Sequence, residues 1–329
     1  MWGNGLWPRS FRGKVNGRED LSRFSAPGLD NKRLKLSLRM RHFGLFTHSL
    51  SSSKNQEFFI LPFSRFLTLR RGALTMRWKN GKRWVYSITY DEGCEALLEH
   101  ALPVHREFGV PGHLALVASQ IGVHRDVPGS SYDGMMILSK AQIHQLCAEG
   151  WGVSCHSMTH AGITMANADH EVVESRKVLE DALEMPVTMF CVPGNNDSYP
   201  PAHALAERAG YTAILTIYDD VNTAETDPLR LCRCPLHTEY PPPFYSAFDP
   251  YKRLHQAIDR GGWVIDYCHC PMPTVPIHPW KDCTVEQLTE RFETVRRVGG
   301  DDVWLAEPNE VVAYIQKGRR LRPWETPEA

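Results

Sequence analysis

From residue 84 onward, short apolar runs with a two-residue alternation take turns with longer stretches whose apolar positions recur at helical spacing. The strand-type runs fall at 84–90, 113–118, 153–155, 187–192, 213–217, 229–236, 263–268 and 303–306. Between them the pattern predicts helices over 94–108, 139–149, 168–183, 202–209, 251–260, 285–298 and 310–316. That is seven or eight βα units in strict succession. Such alternation requires parallel strands joined by helical crossovers, and a span of about 250 residues suits an α/β barrel better than an open sheet with an extra domain.

Residues 1–75 show neither period. They carry 14 Lys+Arg against 4 Asp+Glu, a net of +10, whereas the remaining residues carry 23 and 34, a net of −11. The near-neutral whole therefore conceals two opposed parts, and a leader at 1–75 is expected to stay outside a barrel domain at 76–329. An Arg-rich, acid-poor leader reads as a misassigned start, since Met76 shortly precedes the first good strand, as an organellar transit segment, or as a nucleic-acid arm. Its apolar run Phe58-Phe59-Ile60-Leu61-Pro62-Phe63 is too short to span a membrane. All nine cysteines lie after residue 75, without a CxxC, and the odd number argues against a disulfide framework. Reduced, mostly buried thiols in a cytoplasmic protein are the expectation, with no membrane partner and no nucleic acid bound by the barrel.

Candidate chemistry collects at strand ends, where a barrel places its site. The run Tyr86-Ser87-Ile88-Thr89-Tyr90 stops at Asp91, Glu92 and Gly93. Two adjacent carboxylates at a strand end allow one to hold a cation while the other handles a proton, with glycine turning the chain away; the plainer alternative is a helix cap. A second cluster, His156-Ser157-Met158-Thr159-His160, also follows a strand, and its histidines at i and i+4 can share one face of a helical turn. Glu92, His156 and His160 together make a two-histidine, one-carboxylate set suited to zinc and also to cobalt, nickel, iron or manganese. Asn195, Asn196 and His269 follow later strands. Trp280, Trp304, Tyr245 and Tyr267 are candidate stacking surfaces for a sugar ring, each equally able to serve as packing.

The ordered segments SITYDEG, SCHSMTH, FCVPGNND and VIDYCHC resemble the polysaccharide deacetylase family, also called the NodB homology domain or carbohydrate esterase family 4. The resemblance implies a (β/α)7–8 barrel and a metal-dependent hydrolase of non-peptide C–N bonds, with an N-acetylated sugar or glycan precursor as substrate. It assigns Asp91 as catalytic base, Glu92, His156 and His160 as metal ligands, and His269 as general acid. Pro193, Gly194, Asn195 and Asn196 then form a substrate-binding loop. Three departures stand out: Glu92 replaces the usual Asp, the third motif lacks its base-positioning arginine, and the partners of the catalytic histidine have no evident equivalent. Arg233 is the candidate for the missing guanidinium, and Asp266 or Asp197 for the missing carboxylate. A hydrolase of allantoin or cyclic imides, or an inactive barrel kept for binding, are the competing readings.

Overall fold

The computed structural model describes residues 78–130, 132–194, 201–236, 251–278 and 282–320. The proposed leader and its boundary at residue 75/76 lie outside these residues.

The strands are β1 Trp84–Glu92, β2 His113–Leu116, β3 Gly152–Cys155, β4 Met189–Cys191, β5 Ala213–Leu215, β6 Cys234–Pro235, β7 Trp263–Cys268 and β8 Val303–Leu305. The helices are α1 Leu97–His100, α2 Leu102–Phe108, α3 Lys140–Ala148, α4 Ser175–Leu183, α5 Pro201–Arg208, α6 Lys252–Arg260, α7 Val285–Gly299 and α8 Pro308–Arg320. Every strand pairing is parallel, in the order β5-β4-β3-β2-β1-β7-β6 with β8 also on β1. β1 is the hub. One edge pairs with β7 from Val85 to Tyr90, and the other is shared, Trp84–Tyr86 pairing with β8 and Tyr90–Glu92 with β2. The sheet curls back on itself at a thin seam. There Leu231 donates to the Ile214 carbonyl and accepts from Thr216 N–H, both at 2.9 Å, three residues before Cys234 pairs with β7.

The curl divides the apolar core into two layers by strand alternation. Outward positions of β1, Trp84, Tyr86, Ile88 and Tyr90, pack under the helices with residues such as Leu97, Leu179 and Phe292. Inward positions Val85, Ala115, Met189, Ala213, Leu215, Trp263 and Ile265 fill the lumen, and Val311, Val312 and Ile315 of α8 close its N-terminal end. Trp304 belongs to this buried plug, with Trp78 at 6.4 Å, so it is packing rather than a sugar platform.

Two elements differ from the periodicity. The helix expected over 94–108 is split into α1 and α2 because Pro103 cannot donate within a continuing helix. The strand expected over 229–236 shrinks to two residues, since Pro228 begins a 3-10 turn and Pro235 removes a ladder donor. Both α3 and α7 start where reciprocal capping boxes, Ser139 with Gln142 and Thr284 with Gln287, satisfy first-turn donors. All nine cysteines are free thiols, seven buried and Cys147 and Cys232 half-buried. Among the described residues, no helix is long and apolar enough to cross a membrane.

Candidate active site

The inward row of β1 ends at Asp91, which is 4% exposed. A buried carboxylate needs compensation, and Arg233 supplies it. Its Nη1 and Nη2 donate to the two Asp91 oxygens at 2.6 and 3.2 Å. The same guanidinium is fixed by Thr216 O at 2.8 Å and Thr89 Oγ1 at 3.0 Å, and it lies 4.6 Å over the Tyr267 ring. Tyr267 is thereby committed to Arg233 and buried, not offered to a sugar. Burial alone would raise the Asp91 pKa, but the Arg233 charge, aided by His156 and His269, outweighs it and holds the carboxyl below its usual range. Arg233 is thus the guanidinium that meets Asp91, arriving from the residue before β6.

Glu92 would face outward if the strand simply continued. Instead it adopts φ 74°, followed by Gly93 at φ 75°, and this pair of left-handed residues swings the chain and the Glu92 side chain to the mouth. At Gly93 a Cβ would also lie 2.4 Å from Leu116 Cδ2. Glu92 Oε2 accepts from buried Arg125 Nη1, which also donates to Gln120 Oε1 at 2.7 Å. The other oxygen, Oε1, stands 3.3 Å from His160 Nε2.

His156 leaves β3 with its N–H on the Leu116 carbonyl at 2.7 Å, and its Nδ1 is 2.9 Å from the Cys191 carbonyl. That contact assigns the proton to Nδ1 and leaves Nε2 for the site. The segment 156–160 is not a helical turn. Ser157 at φ 68° and His160 at φ 62° fold it back, so that the imidazoles meet at 4.9 Å, edge to face. Buried Glu171, from the π-helical turn Asp169–Glu174 that opens α4, secures the bend by accepting from Met158 N, Thr159 N and Thr159 Oγ1 at 3.1, 3.0 and 2.5 Å. Burial lowers His156 and His160 to about 4 each, so both are neutral near pH 7.

Across the mouth, His269 follows β7 and is paired with Asp282. Asp282 Oδ1 lies 3.5 Å from His269 Nδ1 and accepts from the His269 and Cys270 N–H groups at 3.2 Å each. Burial pulls the His269 pKa down, but the Asp282 hydrogen bond and charge outweigh this and raise it overall. Asp266 is not the carboxylate behind His269. It lies on the outward row of β7, hydrogen-bonded by Arg291 of α7 at 2.7 and 3.0 Å and by Tyr86 Oη at 2.7 Å. Alternation carried that signal: residues 263, 265, 267 and 269 point one way and 266 the other. Asp197 lies outside the described residues, as do Asn195, Asn196, Tyr245 and Trp280. Pro193 is buried and Gly194 exposed, in the loop leaving β4.

Asp282, Tyr132, Arg125 and Gln120 went unread in the sequence. Asp282, Tyr132 and Arg125 sit in loops without periodicity and Gln120 ends the short 3-10 turn Ala118–Gln120, and only the folded chain brings them to the mouth. The donor set fits a divalent cation: ligand atoms of Glu92, His156 and His160 lie within 4.8 Å of one another, as do those of Asp91, His156 and Cys191. The first set offers two neutral imidazoles and a carboxylate oxygen turned toward them. In the second, Asp91 is already neutralised by Arg233.

Residues 79–214 match the family model described as polysaccharide deacetylase. No curated protein matches it. Among solved structures, the chain is similar to a family 4 acetyl xylan esterase from Clostridium thermocellum in complex with a cobalt ion, at 16% identity over 71% of this chain and 92% of that one, TM-score 0.43. It is similar also to the Xyl-CE4 domain of a multidomain xylanase from the hindgut metagenome of Trinervitermes trinervoides, at 13% identity over 71% and 91%, TM-score 0.41. The Streptococcus pyogenes deacetylase PplD, solved with acetate, is 16% identical over 45% of this chain, TM-score 0.37, and the chain spans 62% of its length.

Proposed function

We propose that this protein is a deacetylase hydrolase that cleaves the amide of an N-acetylated sugar or glycan precursor, using one divalent metal, zinc foremost, held by Glu92, His156 and His160. The observation that carries the reading is the meeting of Asp91, Glu92, His156, His160 and His269, from three separate strand ends, at one barrel mouth. A metal held there supplies Lewis acidity toward a carbonyl oxygen and toward water.

The chain's own groups divide the proton work. Asp91, ionised and aimed by the two-pronged Arg233 contact, accepts the proton from the attacking water. His269, whose Nδ1 faces Asp282, presents Nε2 for protonating the leaving amine, and its raised pKa keeps the imidazolium available nearer neutrality. The loop that leaves β4 at Pro193 and Gly194, and on which Asn195 and Asn196 follow in sequence, is the proposed substrate-binding loop, whose backbone N–H groups would supply an oxyanion donor. The products are acetate and a free amine.

The test is elemental analysis coupled to acetate release from N-acetylated sugars and from cyclic amides. One equivalent of metal and acetate from the sugars are expected. His156→Ala combined with His160→Ala should strip the metal, whereas Asp91→Asn should keep it and lose about 10²- to 10⁴-fold in turnover. An Asp91→Asn protein that arrives metal-free, or works at the parent rate, overturns the assignment of the two carboxylates. Turnover of cyclic amides alone would transfer the site to the competing hydrolase reading.

A further inference from the structure

The loop between β2 and α3 contributes Tyr132, a residue to which neither the strand-end pattern nor the family motifs assign a role. Tyr132 is 2% exposed. Its ring lies nearly parallel to the His269 imidazole, with centroids 5.0 Å apart and planes 13° apart. Its Oη donates to Asp282 Oδ2 at 2.8 Å. The other oxygen of that carboxylate, Oδ1, faces His269 Nδ1. One side chain therefore touches both members of the pair, the histidine by its face and the carboxylate by its hydroxyl.

The loop is built to hold it there. Tyr132 packs with Cys94, Ile137 and Cys270 in a small core of its own, flanked by Met135, Met272 and Ile277 and separate from both barrel layers. The loop is stitched into a hairpin, Arg125 N–H to Met135 O at 2.8 Å and Gly134 N–H to Arg125 O at 2.7 Å, and bridged to the chain after β1 between Cys94 and Ile137. Burial, reinforced by the Asp282 charge, pushes the Tyr132 hydroxyl far above its usual pKa, so it stays a proton-bearing donor.

We propose that Tyr132 is a positioning residue for the proton-donating histidine: its hydroxyl takes one oxygen of Asp282 so that the other stays aimed at His269 Nδ1, while its ring fixes the imidazole plane toward the mouth. The idea rests on His269 acting as the acid. A hydrogen bond between a neutral hydroxyl and a carboxylate is among the stronger kinds, and losing it leaves Asp282 held only through Oδ1, by the longer His269 and Cys270 N–H contacts, so that the carboxylate plane is less firmly set. An acid that wanders from its leaving group loses rate where a proton must be delivered and much less where none is needed.

Two measurements on the full chain test this with Tyr132→Phe, which keeps the ring, and Tyr132→Leu, which removes it. The first compares turnover of N-acetylglucosamine oligomers with that of 4-nitrophenyl acetate, whose leaving group needs no proton. Tyr132→Phe is expected to lower amide turnover about tenfold more than ester turnover, and adding it to Asp282→Asn should cost less than about twofold further. Equal losses on both substrates, or an undiminished effect in the Asp282→Asn background, would mean that Tyr132 merely supports the fold. The second follows the His269 Nδ1–H proton by NMR and needs no turnover at all. Its exchange with water should accelerate at least about tenfold in Tyr132→Phe, and more in Tyr132→Leu if that variant folds. An unchanged resonance in Tyr132→Phe defeats the proposal. If the resonance responds while the parent protein releases no acetate, the positioning stands and the deacetylase reading falls.

Discussion

The two ends of the lumen are made from the same strands yet have opposite chemistry. Climbing the inward row of β1 two residues at a time, Val85 gives way to Ser87, Thr89 and Asp91. On β7, Trp263 and Ile265 give way to Tyr267 and His269. The lower end is sealed by α8 and held by apolar contact; the upper end is held by paired charges. The difference teaches that identical backbone register supports two kinds of cohesion, one tolerant of shape and one intolerant of losing a partner.

The largest effect should therefore come from the upper end. Arg233→Met leaves Asp91 charged, buried and unpaired, and should cost about 3–5 kcal/mol in urea unfolding. Adding Asp91→Asn should restore much of that loss, because no charge then remains to be compensated. A cost below about 1 kcal/mol for Arg233→Met would show that water reaches Asp91. At the lower end, Leu215→Ala should cost about 2–5 kcal/mol by opening a cavity, and no polar substitution elsewhere in the lumen should recover it. Rescue is thus the sharper discriminator of the two ends, more than the size of the loss.

A pH scan probes the outer layer. His105 is buried with Nε2 2.6 Å from Tyr90 Oη and Nδ1 2.6 Å from the Val110 carbonyl, and burial lowers its pKa to about 3. The unfolded chain takes up that proton near pH 6.5 and the folded one does not. Stability is therefore full above pH 6.5 and should fall by about 1.4 kcal/mol per pH unit on acidification toward 3. His105→Gln should reduce the slope by one proton, measured as the pH dependence of the urea midpoint.

The smallest effect is expected at Glu92, which divides its oxygens between Arg125 and His160. Shortening it by one methylene in Glu92→Asp should retain the metal but weaken its binding about tenfold, read by competition with a chelator, since one of the two contacts must stretch.

Much of this architecture was readable before any coordinates. Asp91, Glu92, His156, His160 and His269 announce themselves because a parallel barrel leaves strand C-termini as the only place for them to meet. Arg233 was readable as a cation beside a strand. What was not readable came from two sources. Tyr132, Arg125 and Asp282 lie on connections whose path is set by tertiary contacts, so no period marks them. The bend over residues 156–160 depends on left-handed φ at Ser157 and His160, which residue type does not advertise. Asp266 is a different case. Its outward parity was in the strand all along, and attention to register would have sent it to Arg291.

The sharing of β1 among β2, β7 and β8 bears on how the chain folds while it is being made. The strand at residue 84 cannot complete either edge until partners beyond residues 263 and 303 exist. A nascent chain ending at residue 214, the limit of the family match, exposes the whole β7-facing edge of β1, a row of unpaired backbone groups beside apolar side chains. The matched segment is therefore not an autonomous folding unit. Released as a fragment, residues 79–214 should aggregate, and during synthesis the barrel's hub must wait for the last strand to arrive.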